Sequence, residues 1–206
     1  MRNRKEEIIY ATLELAAEYG LGSVSMQQIA EKVGITKASL YNHFSSREEI
    51  VEAMYEYLRE RSKEGLSLGS TDYGELVKGR TAKEALLGAV ESYRQLNAQP
   101  ELLSFYRLIY SQRAIDPAAA AIMREETRKM IGATKSLFYA LQVHGKLRVR
   151  DIDAAALSFA MTVHSMLDYS LDCAACGERM PEDMLEGYVE WFCNEFGGAE
   201  NEKKTD

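Results

Sequence analysis

Apolar positions recur at mixed spacings of three and four along most of the chain, the period of a helix with one covered face. Over residues 4–20 the set is Ile8, Leu13, Leu15, Ala16 and Tyr19, with Gly20 supplying a stop. Over 117–144 it is Met123, Thr127, Met130, Thr134, Leu137 and Leu141. Over 182–197 it is Leu185, Tyr188, Val189, Phe192 and Phe196. Further helices are predicted near 82–98, 101–112 and 152–174, with breaks at Pro100, Asp116-Pro117, His144-Gly145, Gly177 and Pro181. No segment alternates with the period of a strand. The expectation is an all-α fold of about nine helices.

The N-terminal quarter carries the sharpest local signals. Ser25 with Gln28 has the spacing of a capping box and opens a short helix, 26–32, that ends at Gly34. Thr36 caps a second short helix running to about Phe44. Ser46 with Glu49 opens a long helix toward Leu58 or beyond, and Thr81 with Glu84 forms another box. The Gly- and Ser-rich stretch between Gly65 and Gly79 reads as a loop.

Two short helices joined by a tight glycine turn form a helix-turn-helix. The first braces against a DNA backbone while the second lies in the major groove. Ile29, Ala30 and Val33 face inward, Ile35 seats the turn, and Leu40 and Phe44 anchor the second helix. At about 100° per residue, Ala38 and Asn42 point away from that anchor, with Ser39 and Tyr41 flanking them. Thr36 and Lys37 stand at the helix start, where free N–H groups suit a phosphate.

Charge sharpens this reading. The chain has 206 residues and a net charge of -7, yet from Lys32 to Arg47 it holds Lys32, Lys37 and Arg47 and no Asp or Glu. A carboxylate on a groove-facing surface would meet a polyanion at close range. The acidic total disfavours indiscriminate polyanion binding without forbidding a local contact surface.

The stretch "SMQQIAEKVGITKASLYNHFSSREEIVEAMYEYL" resembles the N-terminal signature of the TetR family of bacterial transcriptional regulators. The match is carried by Ile29-Ala30, Gly34-Ile35-Thr36, Leu40-Tyr41, His43-Phe44 and Arg47-Glu48-Glu49-Ile50. The resemblance implies a three-helix DNA-binding domain over residues 1–50 and a helical effector-binding and dimerisation domain over 51–206. It also implies roles. Ser25 and Gln27 would touch a phosphate or an adjacent base, Thr36 and Lys37 would enter the groove first, and Tyr41 would meet a phosphate or a thymine methyl. His43 would bind a phosphate and Arg47 would clamp the backbone. Ala38 stands where the family often has Gly, Arg47 where Lys is usual, and Asn42 at a variable position that helps choose the operator.

The larger part is less specific. Tyr93, Phe105, Met123, Met130, Phe138 and Phe159 lie on the middle helices and suit either an apolar effector pocket or an ordinary core. Thr127 and Thr134 either bond their own helix carbonyls or line such a cavity. Helix 152–174 has two faces, one of Leu157, Met161, His164, Asp168 and Leu171, the other of Phe159, Val163, Met166 and Ser170. His164 and Asp168 form either a structural i, i+4 pair or the polar end of a pocket. The resemblance implies that the last two helices pair with a second copy, through Phe159, Val163, Met166, Leu185, Tyr188, Val189, Phe192 and Phe196; the alternative is that both stripes belong to the core of one chain.

The expected function is a homodimeric DNA-binding regulator, a repressor released from a palindromic operator by a largely apolar small molecule. An enzyme is disfavoured, because no nucleophile–base–orienter set, phosphate loop or metal quartet is visible. No cofactor and no metal is expected. Three cysteines, Cys173, Cys176 and Cys193, argue against a disulfide scaffold, and Cys173-Ala-Ala-Cys176 reads as small helix-end residues. With no apolar run of about 18 residues and acids early in the chain, the expected compartment is the cytoplasm, away from membranes.

Overall fold

The computed structural model describes residues 3–66, 72–181 and 183–198, the side chains of 61–66 and of residue 101 excepted. Among the described residues ten α-helices form: α1 (Arg4–Tyr19), α2 (Met26–Val33), α3 (Lys37–Tyr41), α4 (Arg47–Leu66), α5 (Tyr73–Val77), α6 (Ala82–Asn97), α7 (Pro100–Gln112), α8 (Pro117–Val143), α9 (Ile152–Ala175) and α10 (Met184–Phe196). A 3₁₀ turn, Leu21–Ser23, links α1 to α2. The all-α class is as the periodicity indicates, with one helix more than expected.

That extra helix is α5, inside the stretch read as a loop. Asp72 accepts from the N–H groups of Gly74 at 2.9 Å and Glu75 at 3.2 Å. This cap, together with burial of Val77, offsets the cost of Gly74, about 1 kcal/mol relative to Ala. Residues 67–71 of the same stretch lie outside the described residues.

Two compact units make up the chain: Met1–Gly69 with Leu96–Glu126, and Ser70–Gln95 with Thr127–Asp206. They differ from a division at residue 50, because α4 and α7 both pack on α1. In the first unit α2 also packs on α1, and α3 on α2. Its core joins Ile8, Leu21, Ile29, Leu40, Ile50 and Met54 to Leu102, Phe105 and Ile109. One polar cluster is buried in it. Arg59 on α4 meets Glu126 on α8 at 2.6 Å and donates to the Tyr106 hydroxyl at 3.1 Å, while the Tyr55 hydroxyl donates to the same carboxylate. Burial, with the Glu126 hydrogen bond behind it, pushes the Tyr55 phenol well above its ordinary range.

The second unit closes around an aromatic cluster. Phe138, Phe159 and Phe192 lie with ring centroids 5.1–5.5 Å apart, and Tyr188 and Phe196 pack against them. Each fully buried ring contributes about 1.5–3 kcal/mol. This corrects four of the expected dimer contacts. Phe159, Val163, Val189 and Phe192 are buried in the core of their own unit, and Leu185, Tyr188 and Phe196 pack against that core. Met166 is half-buried. The outward face of α9 is the other one, with Leu157, Met161 and Leu171 exposed. Both faces are apolar enough to be covered, and the periodicity alone does not say which faces the neighbouring helices.

Candidate nucleic-acid interface

Local hydrogen bonds build the helix-turn-helix. Ser25 accepts from the Gln28 N–H at 3.3 Å and the Gln28 side chain accepts from the Ser25 N–H at 2.9 Å, a reciprocal box. Gly34 takes the left-handed conformation, φ 74°, that lets the chain reverse between α2 and α3. Thr36 caps α3 by accepting from the Ser39 N–H at 3.1 Å. The second helix is shorter than expected, ending at Tyr41. Beyond it Asn42 N–H bonds Ser39 O and His43 N–H bonds Leu40 O, a tightened last turn that still delivers Phe44 to the core. The cap of α4 is also shifted. Ser46 accepts from the Glu49 N–H at 3.1 Å, but the Glu49 carboxylate turns to the Ser45 hydroxyl and N–H, both at 2.6 Å. Those bonds, the hydroxyl's first, hold the Glu49 carboxyl below its ordinary range.

Ile29, Ala30, Leu40 and Phe44 are buried, and Lys5 lies 5.5 Å over the Phe44 ring. Opposite them Thr36, Lys37, Ala38, Tyr41 and Asn42 are exposed, and His43 is half-buried. Lys37, Tyr41, Asn42 and His43 make no side-chain hydrogen bond or ion pair with any described residue. They are free to meet a ligand without first leaving a partner. Ser25 and Gln27 are exposed at the start of α2, where Gln27 donates to Glu31 at 2.6 Å.

The local positive charge is smaller than the sequence suggests. Lys32 pairs with Glu14 at 3.0 Å, and that hydrogen bond holds its ammonium above the ordinary lysine range. Arg47 departs most from its expected role. Its guanidinium donates to Leu21 O at 2.9 Å and reaches Asp116 at 3.4 Å and Glu48 at 3.1 Å. It ties the start of α4 to the 3₁₀ turn and to the start of α8, so clamping a phosphate would require it to leave these groups. Lys37 alone of the three cations between residues 32 and 47 points to solvent without a carboxylate. Asp116 and Glu14 escaped the sequence reading, because nothing in local spacing joins them to Arg47 or Lys32.

The residues expected to bind an effector divide between the units. Phe105 and Met123 are buried in the first core, and Phe138 in the second, where it is packed against Phe159 and Phe192. These three fill cores instead of lining an open wall. Tyr93, Thr127, Met130 and Thr134 are half-buried, and Thr134 donates to its own helix at Met130 O, 3.0 Å. His164 and Asp168 stand 3.7 Å apart as an i, i+4 pair on the outward face of α9. Cys173 and Cys193 are buried and Cys176 is exposed; burial pushes the Cys193 thiol up to about 11. Among the described residues no three His, Cys, Asp or Glu side chains stand together as for a metal ion, and no helix is long and apolar enough to cross a membrane.

Comparison with known proteins agrees with this geometry. Residues 8–54 match the family of bacterial regulatory proteins, tetR family, and residues 84–194 match the C-terminal domain of AefR-like transcriptional repressors. The chain belongs to the TetR family, whose members are transcriptional regulators and not enzymes. Curated relatives match over less than a third of this chain. The uncharacterised HTH-type transcriptional regulator YerO of Bacillus subtilis is 37% identical over 57 residues, 28% of this chain and 20% of the relative. The nucleoid occlusion factor SlmA of Vibrio cholerae is 36% identical over 59 residues, 28% of this chain and 30% of the relative. The chain thus spans less than a third of the length of these relatives. Among solved structures, the flavonoid-responsive regulator FrrA superposes with a TM-score of 0.72 at 22% identity, covering 94% of this chain and 96% of its own. The SmeT–triclosan complex gives 0.70 at 18%, covering 95% and 92%. A TetR-family regulator from Mesorhizobium loti gives 0.67 at 21%, covering 95% and 100%. At these identities the likeness speaks for the fold alone.

Proposed function

We propose that this protein is a DNA-binding transcriptional regulator that reads a palindromic operator as a homodimer and is released from it by a small, largely apolar effector. The observation that carries the DNA reading is the exposed, carboxylate-free face of α3. Lys37, Ala38, Tyr41 and Asn42 form its groove side, with Ser25, Gln27, Thr36 and His43 at the rim. An exposed polar face beside a fully packed anchor, Leu40 and Phe44, is the arrangement groove binding needs.

The second copy is supported by the outward face of α9, where Leu157, Met161 and Leu171 surround the His164–Asp168 pair, and by exposed Trp191 on α10. Apolar side chains gathered on one face of a soluble chain mark an interaction surface. Two half-sites one turn apart lie about 34–36 Å centre to centre, so a modest rotation of each reading head spoils the fit. Such a coupling makes the protein a repressor released by its ligand. The similar structures of a flavonoid-responsive regulator and of a triclosan complex support a small-molecule effector.

Footprinting of the purified protein on its own upstream region and on selected random duplexes tests the reading. A protected two-fold symmetric site is expected. Absence of any protected sequence with folded protein would overturn it.

A further inference from the structure

The connection between α8 and α9, residues 144–151, repeats with a period of two. Leu147 and Val149 are buried, and Lys146, Arg148 and Arg150 alternate with them. The segment is held extended against the end of α10. Arg148 N–H donates to Phe196 O at 2.8 Å, and Gly198 N–H donates to Lys146 O at 2.9 Å. The Lys146 ammonium is spent internally, on Val77 O at 2.7 Å and on Arg80 O.

Arg148 and Arg150 are different. Both are exposed, and neither side chain makes a hydrogen bond or ion pair with any described residue. In the same unit Lys78, Lys83, Arg94 and Lys135 each hold a carboxylate. The nearest acids in sequence are occupied: Asp151 caps α9 by accepting from the Ala154 N–H at 3.0 Å, and Asp153 pairs with Lys135 at 2.7 Å. Two like charges two residues apart on an extended segment project to the same side, about 7 Å apart. They repel one another until an anion sits between them.

The two arginines border an open depression of about 460 Å³ lined by Gln142, Gly145, Leu147, Arg148, Val149 and Arg150. Gln142 is oriented there, because its Oε1 accepts from the Val149 N–H at 3.3 Å. That bond leaves the Gln142 NH₂ as a further donor. The space is within the range of small-molecule sites. Guanidinium forks match the paired oxygens of a carboxylate or phosphate. Leu147 and Val149 line the same depression between and beside them in sequence.

We propose that this depression binds a small anion, a carboxylate or phosphate group on a compact body, held by Arg148, Arg150 and Gln142. The site is built from residues of the second unit alone and does not depend on the DNA reading.

The test titrates the full chain with sodium benzoate and, separately, with inorganic phosphate at constant ionic strength, following backbone amide resonances. Saturable shifts at residues 142–150 are expected from at least one probe, with half-saturation near ~1 mM for so small a ligand. Saturation by benzoate alone identifies a carboxylate with an apolar body, and by phosphate alone a phosphate ester. The double change Arg148→Gln with Arg150→Gln should weaken binding by about tenfold or more. Arg148→Lys with Arg150→Lys keeps the charge, loses the forks and should fall between. Arg179→Gln, on an exposed arginine past the far end of α9, should change nothing. No saturation with either probe, or undiminished binding in the Gln pair, overturns the site. So does a Gln pair that weakens duplex DNA binding while leaving both probes bound, since the arginines would then be DNA phosphate contacts.

Discussion

Arg47 and Asp116 lie 69 positions apart in the chain and 3.4 Å apart in space. Neither is fully exposed, with 23% of the Arg47 side chain and 10% of the Asp116 side chain accessible. Asp116 also caps the start of α8 by accepting from the Ala118 N–H at 2.9 Å. Through Leu21 O the same guanidinium holds the turn that leads into α2. Arg47 therefore sets the position of the reading head relative to the helices packed behind it.

Arg47→Ala and Asp116→Asn should therefore both lower stability, by about 1.5–3 kcal/mol, as loss of hydrogen bonds to charged groups does. Chemical denaturation measures this. The slope of log affinity against log salt should stay at its wild-type value in both. A slope reduced by about 1 in Arg47→Ala alone would return Arg47 to the phosphate backbone.

Lys37→Ala and Tyr41→Ala should leave thermal stability unchanged, because both side chains are exposed and without hydrogen-bond or ion-pair partners among the described residues. Each should weaken operator binding by about 1–3 kcal/mol where it reads a base. Fluorescence anisotropy on a labelled operator measures both. Wild-type affinity in both variants would remove α3 from the groove.

The buried Arg59–Glu126 pair should be costly to break from one side. Glu126→Ala strands a guanidinium in the core and is expected to lose about 3–5 kcal/mol. Arg59→Met with Glu126→Leu removes both charges and should recover most of that loss. Urea unfolding of the two variants decides it, and equal losses would mean that charge burial is not what the pair manages.

The outward face of α9 and the aromatic core that α9 and α10 share predict opposite outcomes for one substitution type. Met161→Glu and Leu157→Glu, on the outward face, should give folded chains of lowered self-association. Phe192→Glu places a charge in the aromatic core and should unfold the second unit instead. Sedimentation with circular dichroism separates these. A folded monomer from Phe192→Glu would restore the inward face as the dimer contact.

Glu49 gives a pH dependence of known sign. Its carboxyl lies below the ordinary range in the folded chain, because the Ser45 hydroxyl and N–H bond its ionised form. Its contribution is therefore present at neutral pH and is lost as pH falls through the depressed value. Thermal midpoints of wild type and Glu49→Gln should differ near pH 7 and converge in acid. A difference that persists in acid would assign the effect to something other than ionisation.

The chain's own sequence determined the helices, their caps and the reading head. Ser25 with Gln28, Gly34 and Thr36 act within four residues of themselves, so their spacing is enough to place α2 and α3. The same is true of the stripe Leu40 and Phe44, which has one covered side. Where a helix has two apolar faces, spacing is silent. On α9 both faces are apolar, and packing of Phe159 against Phe138 and Phe192 turned one of them inward. Tertiary structure also decided the charges. Lys32 found Glu14 and Arg47 found Asp116 because folding brings those groups together, and Coulomb attraction follows distance in space. The short α5 formed within a glycine-rich stretch because Asp72 caps it and Val77 is buried, and burial is a property of the whole fold.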